Sequence, residues 1–227
     1  MPAPKPTARR PAVAGLLLGT VIGFGARMVI ERLRRGRPSD THAAKAAVHD
    51  ALQGPCDTVM LDDSLTDWGE WAELFPGRRI ANRGIAGDTI GQVFSRLEAV
   101  HRLRPGTVFL LMGTNDLYQA RDVTKVFAQY VQVVESLRAR GAKPIVQSTL
   151  LAGPQYPGAA SFNRKVNALN ALLQPYALAQ GIEFIDLNGA MPGPGAFRLD
   201  DGIHLNGAAY KAWARAIEKH LPAPGPA

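Results

Sequence analysis

The chain has 227 residues, 46% of them apolar and 20% charged, enough for one domain with a full core plus a tail. Its single cysteine, Cys56, excludes an internal disulfide framework and a cysteine-based metal site. The net charge of +7 points to nucleic acid only until it is divided: residues 1–40 carry eight basic residues against two acidic, and the rest of the chain 18 against 17.

Residues 1–10 are Pro-rich and basic and read as a disordered tail. Pro11 to Ile30 is mostly apolar, about long enough to span a bilayer, with Arg27 placed to reach the headgroups. The expected reading is an uncleaved membrane anchor, with the body on the extracytoplasmic side. Arginines on both flanks leave that orientation weakly determined. A cleaved signal peptide competes, but Gly23-Phe24-Gly25 is the best cleavage site on offer. Gly15, Gly19 and Gly23 recur every four residues, the small-residue stripe through which two membrane helices pair, so a helix-mediated homodimer is a further expectation. Residues 1–40 are thus tail, anchor and linker, 41–221 the domain and 222–227 a disordered tail. Thr41 to Leu52 is Ala-rich and helical.

From Thr58 short apolar runs alternate with helical periodicity. Strands are expected at Thr58–Leu61, Thr107–Met112, Pro144–Thr149 and Ile182–Leu187, with a weaker one at Arg79–Ala81. Val123, Val126, Phe127, Tyr130, Val134 and Leu137 share one helix face. Phe162, Val166, Leu169, Leu172 and Tyr176 share another, on a helix that Pro175 should kink or end. Tyr210, Trp213, Ile217 and Leu221 stripe the last helix. Five strands alternating with helices predict an α/β fold whose parallel sheet is covered on both faces. Such sheets bind ligands outside the strand carboxyl ends.

The residues just past each strand therefore carry the chemistry. Ser64 comes after the first, just ahead of Thr66-Asp-Trp-Gly-Glu-Trp71, which reads as a helix start. Asn82 to Thr89, with Gly84 and Gly87, comes after the second. Gly113-Thr-Asn115-Asp116 comes after the third, and Asp201-Gly-Ile-His204 precedes the final helix. Acyl transfer needs a nucleophile, a base, a group orienting the base and donors for an oxyanion. Ser64 is the candidate nucleophile and His204 the base. Asp201 lies one turn away and can orient the imidazole. The Ser64 N–H, the Gly87 N–H and the Asn115 amide can form an oxyanion hole. His42, His49, His101 and His220 lack such a setting and read as surface residues. Trp68, Glu70 and Trp71 either edge the site or, for the tryptophans, pack in the core. The Leu150–Ala160 loop is expected to shape the pocket.

From about Asp57 to Leu221 the chain resembles an SGNH hydrolase, also called the GDSL esterase/lipase family. Its four blocks are matched in order by Asp63-Ser64-Leu65, the Gly87 turn, Gly113-Thr-Asn115-Asp116 and Asp201-x-x-His204. The resemblance implies a flavodoxin-like three-layer α/β/α sandwich and a Ser64–His204–Asp201 site with no metal or cofactor. It also implies an ester substrate: an acetylated carbohydrate, a lysophospholipid or a thioester. A binding protein on a weakened hydrolase scaffold is the alternative. One residue departs from the pattern, because Asp62 stands where the first block usually has glycine. A carboxylate facing the site would oppose the oxyanion, two charges about 4 Å apart interacting by roughly 4 kcal/mol at an effective dielectric near 20. Facing away, it would cost little. The expectation is an active but slowed enzyme that Asp62→Gly makes faster.

Overall fold

The computed structural model describes residues 40–223 except 55, 192 and 194. The expected anchor, its dimerisation stripe and the last residues of the C-terminal tail lie outside them. Among the described residues no helix is long and apolar enough to cross a membrane. The described part opens with helix α1 (Asp40–Ala51).

Five parallel strands form one sheet in the order β2-β1-β3-β4-β5: β1 Thr58–Asp62, β2 Ile80–Gly84, β3 Thr107–Leu111, β4 Lys143–Gln147 and β5 Glu183–Ile185. Every predicted strand is present; β2 runs three residues beyond its weak apolar signal because Asn82 and Arg83 lack the expected alternation. The chain steps from β1 outward to β2, then returns past β1 to β3. That reversal splays the β1 and β3 connections apart and opens a crevice above their carboxyl ends.

Strand residues alternate between two cores. Val59, Leu61, Val108 and Leu110 pack under α4 (Ile90–Ser95), α5 (Leu97–Arg102), α7 (Val123–Ala139) and α8 (Ala159–Ala179). Met60, Phe109 and Leu111 pack on the other face against α3 (Trp71–Leu74) and α10 (Gly207–Ile217). Two buried faces make three layers, as expected. Each fully buried aliphatic side chain contributes about 2 kcal/mol. An exposed ion pair such as Arg79–Asp57 contributes about 0–1 kcal/mol, so the cores dominate.

One expectation is narrowed and one needs correction. Of the kink or end expected at Pro175 the end does not occur, since the helix continues to Ala179. Leu169, Leu173 and Ala177 are fully buried on that helix, and their packing outweighs the lost hydrogen bond of roughly one turn. His49 is not a surface residue: it is 4% exposed, under Arg83 and Arg96. The spacing gave no sign of this, because α1 has only a weak apolar stripe. Burial, then Arg83, Arg96 and Lys45, push His49 down to about 3. Its folded pKa is below its unfolded one, so its contribution is intact above about 6.5 and is lost as pH falls toward 3. His49→Gln is therefore expected to flatten the acid-side fall in Tm, read by calorimetry between about pH 6.5 and pH 4. A Tm curve parallel to the parent's would contradict this.

Candidate active site

β1 ends at Asp62, and Asp63 caps α2 (Ser64–Asp67), its Oδ1 accepting from the Leu65 N–H at 3.0 Å. Ser64 is thus the first residue of a short helix at the crevice. The helix stops before Gly69 and α3 starts at Trp71, so the expected helix start holds two short helices. β2 presses against this turn: a Cβ on Gly84 would lie 2.2 Å from the Asp67 nitrogen, so only glycine fits.

The later blocks converge on Ser64. His204 Nε2 lies 2.9 Å from Ser64 Oγ, and its Nδ1 lies 2.5 Å from Asp201 Oδ2. With Asp201 accepting from Nδ1–H, the neutral ring turns its Nε2 lone pair to the serine hydroxyl, which donates. Asp201 Oδ1 also accepts from the Ile203 and His204 N–H groups at 2.8 and 2.9 Å. Burial pushes the Asp201 carboxyl up, but these bonds outweigh it and hold it below the usual range. Its side chain is about half exposed, so water screens its charge and its chief effect on His204 is orientation.

The Gly87 turn closes with Asp88 N–H donating to Ile85 at 3.1 Å, and Gly87 sits within it at φ +87°. That positive φ suits glycine and leaves the Gly87 N–H outside the turn's own bond. Asn115, on α6 (Thr114–Tyr118), donates from Nδ2 to Asp63 Oδ2 and to the Asp88 carbonyl, both at 2.9 Å. Both amide hydrogens have partners, so an oxyanion would share one of them in a three-centre bond. Ser64, Gly87, Asn115, Asp201 and His204 all line one cleft of about 530 Å³, a usual size for a small-molecule site. All five predicted residues therefore meet.

Asp62 does not join them. It is 1% exposed and does not line the cleft, and after burial the neighbouring Asp63 carboxyl is what acts on it most. Direct opposition to an oxyanion requires the carboxylate in the cleft, so that route to a slowed enzyme is not available to it.

Other lining residues carried little signal. Trp68 stacks on the His204 ring at 4.1 Å and 17°, while Trp71 is core. Tyr156 reaches the cleft from the 150–160 loop, as expected of that loop, and pairs with Tyr118. Arg198 braces the His204 loop by donating to the Ile203 and Leu151 carbonyls. No local pattern marks Arg198, since its partners come from separate segments. Among the described residues no group of three or more His, Cys, Asp or Glu side chains is arranged to hold a metal ion.

Residues 51–212 match the model of the GDSL-like lipase/acylhydrolase family. The chain belongs to that family. GDSL acylhydrolases are carboxylic ester hydrolases, and this chain is one of them. Platelet-activating factor acetylhydrolase IB subunit alpha1 of Rattus norvegicus is 29% identical over 186 residues, covering 77% of this chain and 78% of that protein. A GDSL-like lipase from Bacteroides thetaiotaomicron superposes with a TM-score of 0.67 at 25% identity, over 79% of this chain and 96% of that one. An acetylxylan esterase from Geobacillus stearothermophilus, solved as a catalytic mutant, shares the fold at a TM-score of 0.62 and 17% identity, over 75% and 96%.

Proposed function

We propose that this GDSL hydrolase is a serine esterase that removes short acyl groups through an acyl-enzyme on Ser64. The observation that carries the reading is the continuous line Ser64 Oγ–His204 Nε2 at 2.9 Å and His204 Nδ1–Asp201 Oδ2 at 2.5 Å. In the first step His204 takes the hydroxyl proton as Ser64 Oγ attacks the ester carbonyl. Negative charge grows on the carbonyl oxygen, which is held by the Ser64 and Gly87 N–H groups and the Asn115 amide. The imidazolium is stabilised by Asp201 at one edge and by the Trp68 face, an aromatic surface that favours a cation. It then protonates the departing alcohol. Water, activated by the same His204, attacks the acyl carbonyl and releases the acid and Ser64.

The acyl group we favour is acetyl, because acetyl removal is in the names of two of the similar proteins, the platelet-activating factor acetylhydrolase subunit and the acetylxylan esterase. The alcohol part is a carbohydrate or a lysolipid. Trp68, Tyr118 and Tyr156 offer flat apolar faces that suit either. Residues 11–30 would tether the enzyme to a membrane, with the cleft on the extracytoplasmic side.

The test is hydrolysis of nitrophenyl acetate, butyrate and decanoate by the full chain, together with labelling by a serine-directed phosphonate. Turnover highest on acetate and a single adduct on Ser64 are the expected results. The competing reading, a tethered binding protein, draws on the Asp62 departure. It predicts neither turnover nor adduct.

A further inference from the structure

Under the serine turn lies a pair of carboxyl groups that the proposed reaction does not use. Asp62 ends β1 and Asp63 caps α2, so two acidic residues are adjacent where both are buried, at 1% and 2% exposure. Asp63 is well supplied with donors, the Leu65 N–H on Oδ1 and the Asn115 amide on Oδ2. Asp62 is not: its Oδ2 has no hydrogen-bond partner among the described residues, and after burial the Asp63 carboxyl is the neighbour that acts on it most.

The surrounding groups do not neutralise two charges. From the α4–α5 junction Arg96 approaches, but its guanidinium is engaged by the Asp88 carboxylate at 2.7 Å and the Arg83 and Asp62 carbonyls at 2.8 and 3.0 Å. Asp116 on α6 is paired with Arg121. Tyr130 on α7 donates to the Leu110 carbonyl and Tyr210 on α10 to the Leu65 carbonyl. Both phenols are neutral, held so by burial first and the nearby carboxyls second. Adjacent carboxyls so shielded from water cannot both ionise in the ordinary range.

We propose that Asp62 is a positioning residue: it retains a proton and donates it to Asp63, so the pair carries one charge and the Asp63 carboxylate stays locked on the Leu65 N–H and the Asn115 amide. The donor count assigns the proton, since the better-supplied Asp63 is the better place for charge. Burial first, then the neighbouring Asp63, push Asp62 far above the usual carboxylate range, and burial pushes Asp63 up too. When alkali removes the shared proton, two buried charges repel. Asp63 then releases Asn115 and Leu65, and the serine turn and one oxyanion donor loosen together. The inference relies on the esterase reading only for what Asn115 and Ser64 do.

The linkage has a definite sign. Above about pH 4 the unfolded chain has released a proton that the folded pair still holds. Stability therefore falls as pH rises, until the pair itself deprotonates. Asp62→Asn keeps an N–H donor to Asp63 but has no proton to lose.

The test compares the full chain with Asp62→Asn by infrared spectroscopy, thermal melting and the pH profile of nitrophenyl acetate hydrolysis. The wild type is expected to show the carbonyl stretch of a protonated carboxylic acid at neutral pH, and the variant to lack it. On moving from about pH 6 to about pH 9 the variant's kcat/KM should gain roughly ten-fold on the wild type's, the equivalent of about one unit of pKa. Its Tm should fall less over the same range. Should Asp62→Asn not fold, Asp62→Gly, which also leaves one charge, takes its place and must show the same missing band. Identical bands in parent and variant overturn the shared proton. A missing band with parallel pH profiles overturns the positioning role. A wild type inactive on every ester defeats the esterase reading alone, because the band and the melts still decide the pair.

Discussion

Replacing Ser64 with alanine is expected to lower kcat on short acyl esters by about 10⁵–10⁶-fold, with KM and Tm nearly unchanged. The loss is that large because, in the proposed mechanism, this hydroxyl forms the acyl bond and passes its proton to His204, 2.9 Å away. In that mechanism the serine, imidazole and carboxylate act as a unit, so removing the nucleophile forfeits the contribution of all three. What remains is attack by water on an ester still held by Gly87 and Asn115, worth about 10³–10⁴ over the uncatalysed rate. The fold should not notice. Ser64 is half-buried on the cleft wall, and the change removes one hydrogen bond, about 1 kcal/mol. Stopped-flow kinetics should show the nitrophenolate burst disappear, and mass spectrometry the phosphonate adduct with it. Hydrolysis within ten-fold of the parent would mean that another residue is the nucleophile.

Asn115→Ala is expected to lower kcat by about 10²–10³-fold, the usual cost of one oxyanion donor. Here the substitution does two things. It removes the amide that a developing oxyanion would share, and it deprives Asp63 of one of its two strong donors. A buried carboxylate losing a donor costs about 1–3 kcal/mol, so Tm should fall as well, unlike in Ser64→Ala. Steady-state kinetics and calorimetry on one preparation check both halves. A variant with full stability and undiminished kcat would remove Asn115 from the site and would also detach the Asp62–Asp63 pair from catalysis.

The residues behind both effects were visible in the chain. Ser64 and Asn115 each come soon after an apolar run, and a parallel sheet carries all such positions to one edge. Once five runs alternate with helical periods, convergence of the four blocks is a consequence of topology. The same local rules fail where several interactions compete. Pro175 has a strong intrinsic tendency to stop a helix, yet three fully buried neighbours hold the turn in place. His49 sits on an Ala-rich helix with little apolar contrast, so nothing in its neighbours shows that it is buried within reach of the Arg83 and Arg96 charges. Asp62 is the clearest case. Strand alternation distinguishes an apolar from a polar face only when one face is wet, and in this sheet both faces are buried.

By itself, then, the amino-acid sequence determined the α/β class, the strand count, the position of the basic excess and the five residues that meet at the crevice. These come from periodicity and from the rule that strand ends share an edge, both local properties. Tertiary structure alone decided that Asp62 is buried outside the cleft, that Trp68 rather than Trp71 covers His204, and that Arg198 holds the His204 loop. Those contacts join segments brought together by the crossovers. Their side-chain directions are chosen by packing and by the cost of leaving a buried polar group unpaired, which no stretch of chain carries on its own.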